Sequence, residues 1–351
     1  MDIDRLLIVG TLGGGGIHQY VEQQYQALNG SVDASVYDMM SEPKGAGVWW
    51  MITSTLASLL AALRFPFRSP PDIVHVHTSH RFSFYRAAFY VLWASSVWNR
   101  PVILHIHGSS FDEFVMTDSW LVSRIQSLVF EACDRVIVLS PYWHDVLSTR
   151  VDEKKLRVLP NAIDPSEYTP TFGGDPPHIV FVSNLVERKG VHELVDAVEA
   201  IVVEQDVRVS IAGSGPLTET VEAVADQYDA VDYLGYVSEE DKRALLESGS
   251  IFVLPAYAEG LPIAMLEGMA GGNAIVSTTV GSIPEVIGEE NGILVDPGDA
   301  EQLTEALTTL VSLPEQTEQM GRQNRQLTRD TYSWAAAKKT LHDIYAGLPS
   351  G

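Results

Sequence analysis

The sequence predicts an α/β chain of two Rossmann-like units in tandem, each a parallel sheet wound by helices. Three observations carry that reading. Short β-branched or apolar runs alternate with helical patterns from one end to the other, the pattern of parallel strands joined by crossover helices. At 351 residues, 46% of them hydrophobic and 20% charged, the chain has core material for two ordinary domains. Between the two sets of runs, residues 165–177 gather Pro165, Pro170, Pro176, Pro177, Gly173 and Gly174, the composition of a linker.

The first unit has strand candidates at 6–10, 34–38, 73–77, 102–107, 135–139 and 156–159. Sheets of this kind bind ligands at the carboxyl ends of their strands, so chemistry is expected in the loops there and in a cleft between the two units. The first strand runs into Gly13–Gly16, with a helix from near Ile17. Glycines let a backbone approach a ligand closely, though a plain strand-to-helix turn explains them equally well. The run lacks the G-x-G-x-x-G spacing of a dinucleotide fingerprint, and Asp38 alone does not supply the acidic partner.

Residues 46–63 are uncharged over 18 positions, long enough for a marginal membrane span. Met51, Ile52, Leu56, Leu59, Leu60 and Leu63 nevertheless oppose a weaker face of Thr53, Ser54, Ala57, Ser58, Ala61 and Ala62. That division fits a packed or interfacial helix better than a spanning one. Two His-x-His pairs, His75/His77 and His105/His107, end strands. Residues two apart share a strand face and could grip a metal, but hydrogen-bonded histidines at strand ends explain them more simply. Asp2-Ile3-Asp4 precedes the first strand, a poor place for a nucleotide-bound metal.

The second unit has strand candidates at 178–182, 208–212, 231–234, 251–254, 274–277 and 293–295. Its sharpest local feature is the pair Glu259 and Glu267, eight apart. Pro262 suits the first position of a helix, which leaves Glu259 on the preceding loop and Glu267 on the second turn. Gly260 and Leu261 then lie at a positive helix end, a seat for an anion such as a diphosphate. On spacing alone the pair also suits a glycosidase acid and base, or two solvated helix charges.

Composition narrows the function classes. Twenty-three basic against 46 acidic residues give a net charge of −23, which argues against a nucleic-acid binder because backbone phosphate needs a basic footprint. The single Cys133 excludes an intramolecular disulfide and a cysteine zinc site. The start lacks a basic stretch followed by an apolar one, so a cytoplasmic protein is expected. Only 7 of the basic residues are lysine, and an acidic, lysine-poor surface suits concentrated salt. The charge is uneven: residues 1–170 carry 13 basic and 17 acidic groups, residues 171–351 carry 10 and 29. Residues 44–100 hold Lys44, Arg64, Arg68, Arg81, Arg86 and Arg100 against Asp72 alone, a net +5. Trp49, Trp50, Phe65, Phe67, Phe82, Phe84, Tyr85, Phe89, Tyr90, Trp93 and Trp98 are interleaved with them. An anionic membrane surface and a buried core with solvated ends fit that island about equally.

From Leu254 the chain reads LPAYAEGLPIAMLEGMAGGNAIVSTTVGSIPEVI, followed by NGILVDPGD. Upstream lie FVSNLVERKG, IAGSGPL, YLGYV and VLPNAID, and in the first half GGGG, PDIVHVH and PVILHIHG. This ordered set of landmarks, the first stretch most strongly, resembles the family 4 retaining glycosyltransferases, which have the GT-B fold. The resemblance spans nearly the whole chain. It implies an acceptor-side domain of 1–165, a nucleotide-sugar domain of 166–334, and a C-terminal helix of about 335–351 packing back onto the first.

The resemblance also implies roles. Glu267 holds the ribose hydroxyls, Glu259 lies by the donor sugar, and Lys189 with Arg188 meets the donor diphosphate. Gly15 and Gly16 face the diphosphate and acceptor, Gly260 and Leu261 the anion. Ser214 and Val237 lie where the family contacts the base, and His107 lies near the sugar hydroxyls, with His75, His77 and His105 structural. Two departures stand out. Ser183-Asn184 replaces the family's Gly-Arg, which removes a cation, and Ala162 replaces a glycine in a turn. The implied enzyme is a metal-independent glycosyltransferase with no cofactor beyond its nucleotide-diphosphate-sugar donor. The basic and aromatic island at 44–100, on its membrane reading, adds the expectation of peripheral contact at the inner face of the cell membrane and of a glycan or polyprenyl-phosphate-linked acceptor. Alternatives are a GT-B-fold nucleotide-sugar epimerase and a non-catalytic nucleotide-sugar-binding protein.

Overall fold

The computed structural model describes residues 5–13, 15–39 and 48–349. Asp2, Asp4, Gly14 and Lys44, and the side chains of Gly15, Trp49, Trp50 and Met51, lie outside the described residues. The chain divides into two compact units, Met1–Asn161 with Trp334–Gly351, and Ala162–Ser333.

The first unit holds β1 (Arg5–Gly10), β2 (Asp33–Asp38), β3 (Ile73–Thr78), β4 (Val102–Ile106), β5 (Arg135–Val138) and β6 (Leu156–Val158). They form one parallel sheet in the order β2-β1-β3-β4-β5-β6. Its helices are α1 (Gly15–Leu28), α2 (Val48–Arg64), α3 (Phe82–Ser96), α4 (Phe111–Val115), α5 (Trp120–Ala132) and α6 (Pro141–Ser148). β3 and β4 are buried at every position, as strands covered on both faces must be. Helix α1 begins at Gly15, two residues before the sequence places it, so Gly15 and Gly16 form its first turn and are not loop residues.

The second unit holds β7 (His178–Val182), β8 (Arg208–Ala212), β9 (Val231–Gly235), β10 (Ile251–Leu254), β11 (Ala274–Thr278) and β12 (Gly292–Val295), parallel in the order β12-β11-β10-β7-β8-β9. The helices are α7 (Val191–Glu204), α8 (Thr218–Gln227), α9 (Glu239–Ser248), α10 (Ile263–Ala270), α11 (Ala300–Ser312) and α12 (Pro314–Asp330). A last helix, α13 (Trp334–Ala346), belongs to the first unit, where the Trp334 indole donates to Gln23. Residues 165–177 are tied to the second unit. Thr171 N donates to Glu247 O, Arg243 pairs with Glu167, and the Arg322 guanidinium lies 4.0 Å over the Phe172 ring.

In each sheet the chain winds outward in both directions from one point. In the second it is the gap between β7 and β10, in the first the gap between β1 and β3. Loops on either side of such a point diverge and leave a crevice at the carboxyl ends of the strands.

Candidate functional site

The second unit's switch point collects the predicted donor residues. The turn after β7 carries Arg188 and Lys189, and the loop after β10 carries Glu259. Gly190 follows Lys189 at φ +69°, where a Cβ would sit 1.9 Å from the Pro255 carbonyl oxygen. Only glycine therefore lets the two loops nest. The Tyr257 amide then donates to the Arg188 carbonyl, pinning one loop to the other. From across β11, Gly281 at φ +55° leaves the same room against the Glu259 carbonyl oxygen.

The result is a buried carboxylate between two cations. Glu259 is 6% exposed, its Oε1 hydrogen-bonded by the Lys189 ammonium and 3.4 Å from Arg188 Nη1. Arg188 Nη1 also donates to the Ala258 carbonyl. Two positive charges against one negative leave one charge uncompensated, a setting that attracts an anion. Asn184, the uncharged replacement, is exposed beyond β7, and its carbonyl accepts from Val186 N.

Glu267 forms a second cluster. It lies on α10, 3% exposed, and its Oε1 accepts from Lys242 Nζ of α9 at 2.9 Å. Lys242 also meets Glu239 at 2.7 Å. Burial alone would lower the Lys242 pKa, but the two glutamates together outweigh it and raise it, so the group stays charged. Pro262 caps α10 and does not open it: the helix starts at Ile263, one residue later than the sequence suggests. Gly260 and Leu261 precede that cap, with Gly260 O accepting from Ser282 N. Ser214 and Val237 lie on the loops after β8 and β9, on the far side of the switch point from Glu259.

In the first unit His107 follows β4. Its Nδ1 donates to Asn161 Oδ1 at 3.2 Å, because an amide oxygen only accepts, which leaves Nε2 to accept from His77 Nδ1 at 2.9 Å. Both ring nitrogens are thus taken. His107 reaches a sugar hydroxyl only by exchanging one of these bonds. Burial pushes its pKa down to about 4, against the opposing pull of Asn161, so the ring is neutral at pH 7.

His75, His77 and His105 line one face of β3 and β4, with His77 opposite His105 in the ladder. His75 Nδ1 lies 2.8 Å from the Tyr345 hydroxyl of α13. Burial takes His75 down to about 3 and holds His77 and His105 well below the usual value. Neutral imidazoles are metal ligands, and the ligand atoms of these three lie within 4.8 Å of one another. However, the His75 and His77 rings stack at 9°, so their in-plane lone pairs run side by side and do not converge on one point. Among the described residues the group includes no carboxylate to balance a cation. Beyond the histidines, helices α4 and α6 flank an open pocket of about 580 Å³, lined by Asp112, Glu113, Tyr142 and Asp145 and by apolar Met116 and Val146.

Sequence reasoning missed Lys242 and Asn161. The signal for Lys242 was in the composition: between positions 156 and 337 Lys189 and Lys242 are the only lysines, and each sits on one of the two glutamates.

Residues 176–312 match the sequence family described as glycosyl transferases group 1, and residues 15–167 match glycosyltransferase family 4. A mannosyltransferase of Mycolicibacterium hassiacum, named MMP alpha-(1->4)-mannosyltransferase, is 28% identical over 72% of this chain and 60% of its own length. One polypeptide of the human phosphatidylinositol N-acetylglucosaminyltransferase is 29% identical over 83% of this chain and 61% of its own. The chain thus spans about 60% of the length of these relatives. Among solved structures, sucrose-phosphate synthase of Thermosynechococcus elongatus superposes with a TM-score of 0.81 at 17% identity, covering 98% of both chains. Anabaena HepE in complex with UDP-glucose does so at 0.78 and 16%, covering 98% of this chain and 100% of that one. These neighbours are GT-B glycosyltransferases, and the likeness establishes the fold. No helix among the described residues is long and apolar enough to cross a membrane.

Proposed function

The chain belongs to the family 4 glycosyltransferases, and on that premise we propose that it moves a sugar from a nucleotide-diphosphate donor to a hydroxyl acceptor with the anomeric configuration retained. One observation carries the reading. Among the described residues the only buried carboxylates are Glu259 and Glu267, and each is held by its own lysine. Carboxylates are rarely buried unless paired, so two in one unit mark a site.

Glu267, oriented by Lys242, clamps the ribose diol, because a carboxylate accepts two hydroxyl protons at once. Lys189 and Arg188 take the charge that grows on the diphosphate as it leaves, and Gly260 and Leu261 shape the loop beneath it. Glu259 faces the oxocarbenium-like sugar ring and orients its hydroxyls. Ser214 and Val237 contact the base, Gly15 and Gly16 face the diphosphate, and His107 orients a sugar hydroxyl.

Retention has two routes. A double displacement needs a carboxylate nucleophile at the anomeric carbon, a role that neither Glu259, beside Lys189 and Arg188, nor Glu267, clamping the ribose, takes here. The second route fits these residues: the acceptor oxygen attacks from the leaving-group side. The glycosidic C–O bond to phosphate breaks, the new C–O bond forms, and the departing phosphate oxygen takes the hydroxyl proton. Lys189 and Arg188 supply the positive charge, so the scheme uses no bound metal. Positioning and electrostatics provide the acceleration.

HepE's bound UDP-glucose makes uridine-diphosphate sugars the first donors to try. The acceptor is a glycan or polyprenyl-phosphate-linked hydroxyl at the inner face of the cell membrane. A lipid acceptor is supported by the human relative, whose name specifies phosphatidylinositol. A thermal-shift screen against nucleotide sugars tests the donor. A ligand at 100 times its Kd adds about 2.7 kcal/mol of stability. One donor should raise Tm in the wild type and not in Glu267→Ala. A flat response to every nucleotide sugar overturns the proposal, and a donor converted to its epimer without any acceptor replaces it.

A further inference from the structure

Helix α2 is amphipathic, but it is mounted with the apolar side out. Ile52, Leu56, Leu59, Leu60 and Leu63 are 44% to 58% exposed. Ser54 is buried, and Ala57, Ser58, Ala61 and Ala62 are half-buried. The small residues let the helix backbone come close enough for the Tyr37 hydroxyl of β2 to donate to the Ala61 carbonyl. Leucines on that inner face would hold the helix away. In water a helix normally turns its leucines inward, so this one is built for contact with something apolar.

The charge beside it says what. Arg64 ends the helix and Arg68 follows four residues on, both exposed, with Phe67 between them 90% exposed. They belong to a segment of net +5 in a chain of −23. An apolar stripe about 18 Å long, from Ile52 to Leu63 and flanked by arginine, matches a helix lying in the headgroup region of an anionic bilayer. A second copy is a poorer occupant. A second copy would present the same positively charged segment and no complementary anion, whereas an anionic bilayer supplies both the apolar layer and the opposite charge.

We infer that α2, with Arg64, Phe67 and Arg68, docks this protein on an anionic lipid surface, Ile52 to Leu63 entering the acyl boundary. The surface deepens the transferase reading by naming what holds the enzyme near a lipid-linked acceptor, and it rests on that reading only there.

The test is sedimentation of the full chain with phosphatidylcholine vesicles, with and without 30% phosphatidylglycerol, in 0.1 M and 1 M KCl and without donor. The wild type should bind the anionic vesicles at least tenfold more tightly than the neutral ones at low salt, and the difference should shrink at 1 M as the arginines are screened. Leu56→Asn/Leu60→Asn should lose binding at both salts. Arg64→Glu/Arg68→Glu should lose only the preference for anionic lipid. Both pairs are exposed, so unchanged circular dichroism and an unchanged thermal response to a nucleotide sugar confirm a folded donor unit. No binding to anionic vesicles overturns the inference, as does equal binding by the leucine variant. A dimer in light scattering that the leucine variant abolishes assigns the face to a second copy instead. The donor response is read separately, so either proposal can fail alone.

Discussion

Replacing Lys242 by methionine removes the ammonium that compensates Glu267 and keeps most of the volume. Glu267 then loses its ammonium partner while its side chain stays 4% exposed. Breaking a buried pair by deleting one partner typically costs about 3–5 kcal/mol. The partner bond to Glu239 adds little, since that side chain is 69% exposed and surface pairs are worth about 0–1 kcal/mol. Lys242 reaches solvent at its edge, and water entering there relieves part of the loss, so about 2–3 kcal/mol is expected. In a unit of this length each kcal/mol lowers Tm by about 2–4 °C, giving a fall of roughly 4–12 °C at pH 8.

The penalty should depend on pH in a set direction. With the ammonium gone, burial favours the neutral carboxyl of Glu267, so the folded variant binds a proton that the unfolded chain gives up above about pH 4.3. Stability is then fully present below that pH and is lost as pH rises. Thermal melts of wild type and Lys242→Met from pH 5 to pH 8 should diverge steadily. Adding Glu267→Gln should close most of the gap, because no buried charge then remains. Melts that coincide at pH 8, or a gap that ignores pH, would refute a charge-compensating role for Lys242.

Lys189→Ala should cut kcat/KM by about 10²–10³, the usual loss of one group on a developing oxyanion, while Arg188→Ala, on a half-exposed side chain, should cost less. Near-normal turnover in Lys189→Ala removes it from the diphosphate. Gly281→Ala should abolish the donor-induced rise in Tm, since its Cβ would meet the Glu259 carbonyl oxygen at 1.9 Å; an unchanged rise shows the loop tolerates the shift. The buried histidines set the acid limit. With folded values depressed to about 3 at His75 and about 4 at His107, stability is intact above about pH 6.5. Each ring should then cost about 1.4 kcal/mol per pH unit as pH falls toward those values. Melts from pH 7 to pH 5, before most carboxylates titrate, should show the slope, and His75→Phe should reduce it by one ring's share.

All twelve strands were legible in the sequence, and Glu259, Glu267, Arg188 and Lys189 were legible as candidates, while Lys242 and Asn161 were not. A buried parallel strand needs a run of β-branched and apolar side chains, and such runs are local in the sequence. The glutamates at 259 and 267 could likewise be placed on loop and helix from their neighbours alone. What could not be read was which charge meets which. Lys242 lies 25 positions from Glu267, and Asn161 lies 54 from His107; no periodicity joins them. The order of strands around the β7–β10 switch point places Arg188 and Lys189 beside Glu259, and chain topology is a property of the whole sheet.

Helix α2 shows the same division at its sharpest. Its two faces were plain in the sequence, because helical spacing sorts Leu56, Leu59, Leu60 and Leu63 from Ser54, Ala57, Ser58 and Ala61. Transfer free energy alone would send the leucines inward. Packing decided otherwise, since only the small face lets the backbone close onto Tyr37, and the leucines were left to whatever meets the protein from outside. The sequence by itself determined the elements and the fold class, both of which follow from local chemistry. Tertiary structure decided their pairing and their outward or inward sense, because those depend on neighbours that only the folded chain brings into reach.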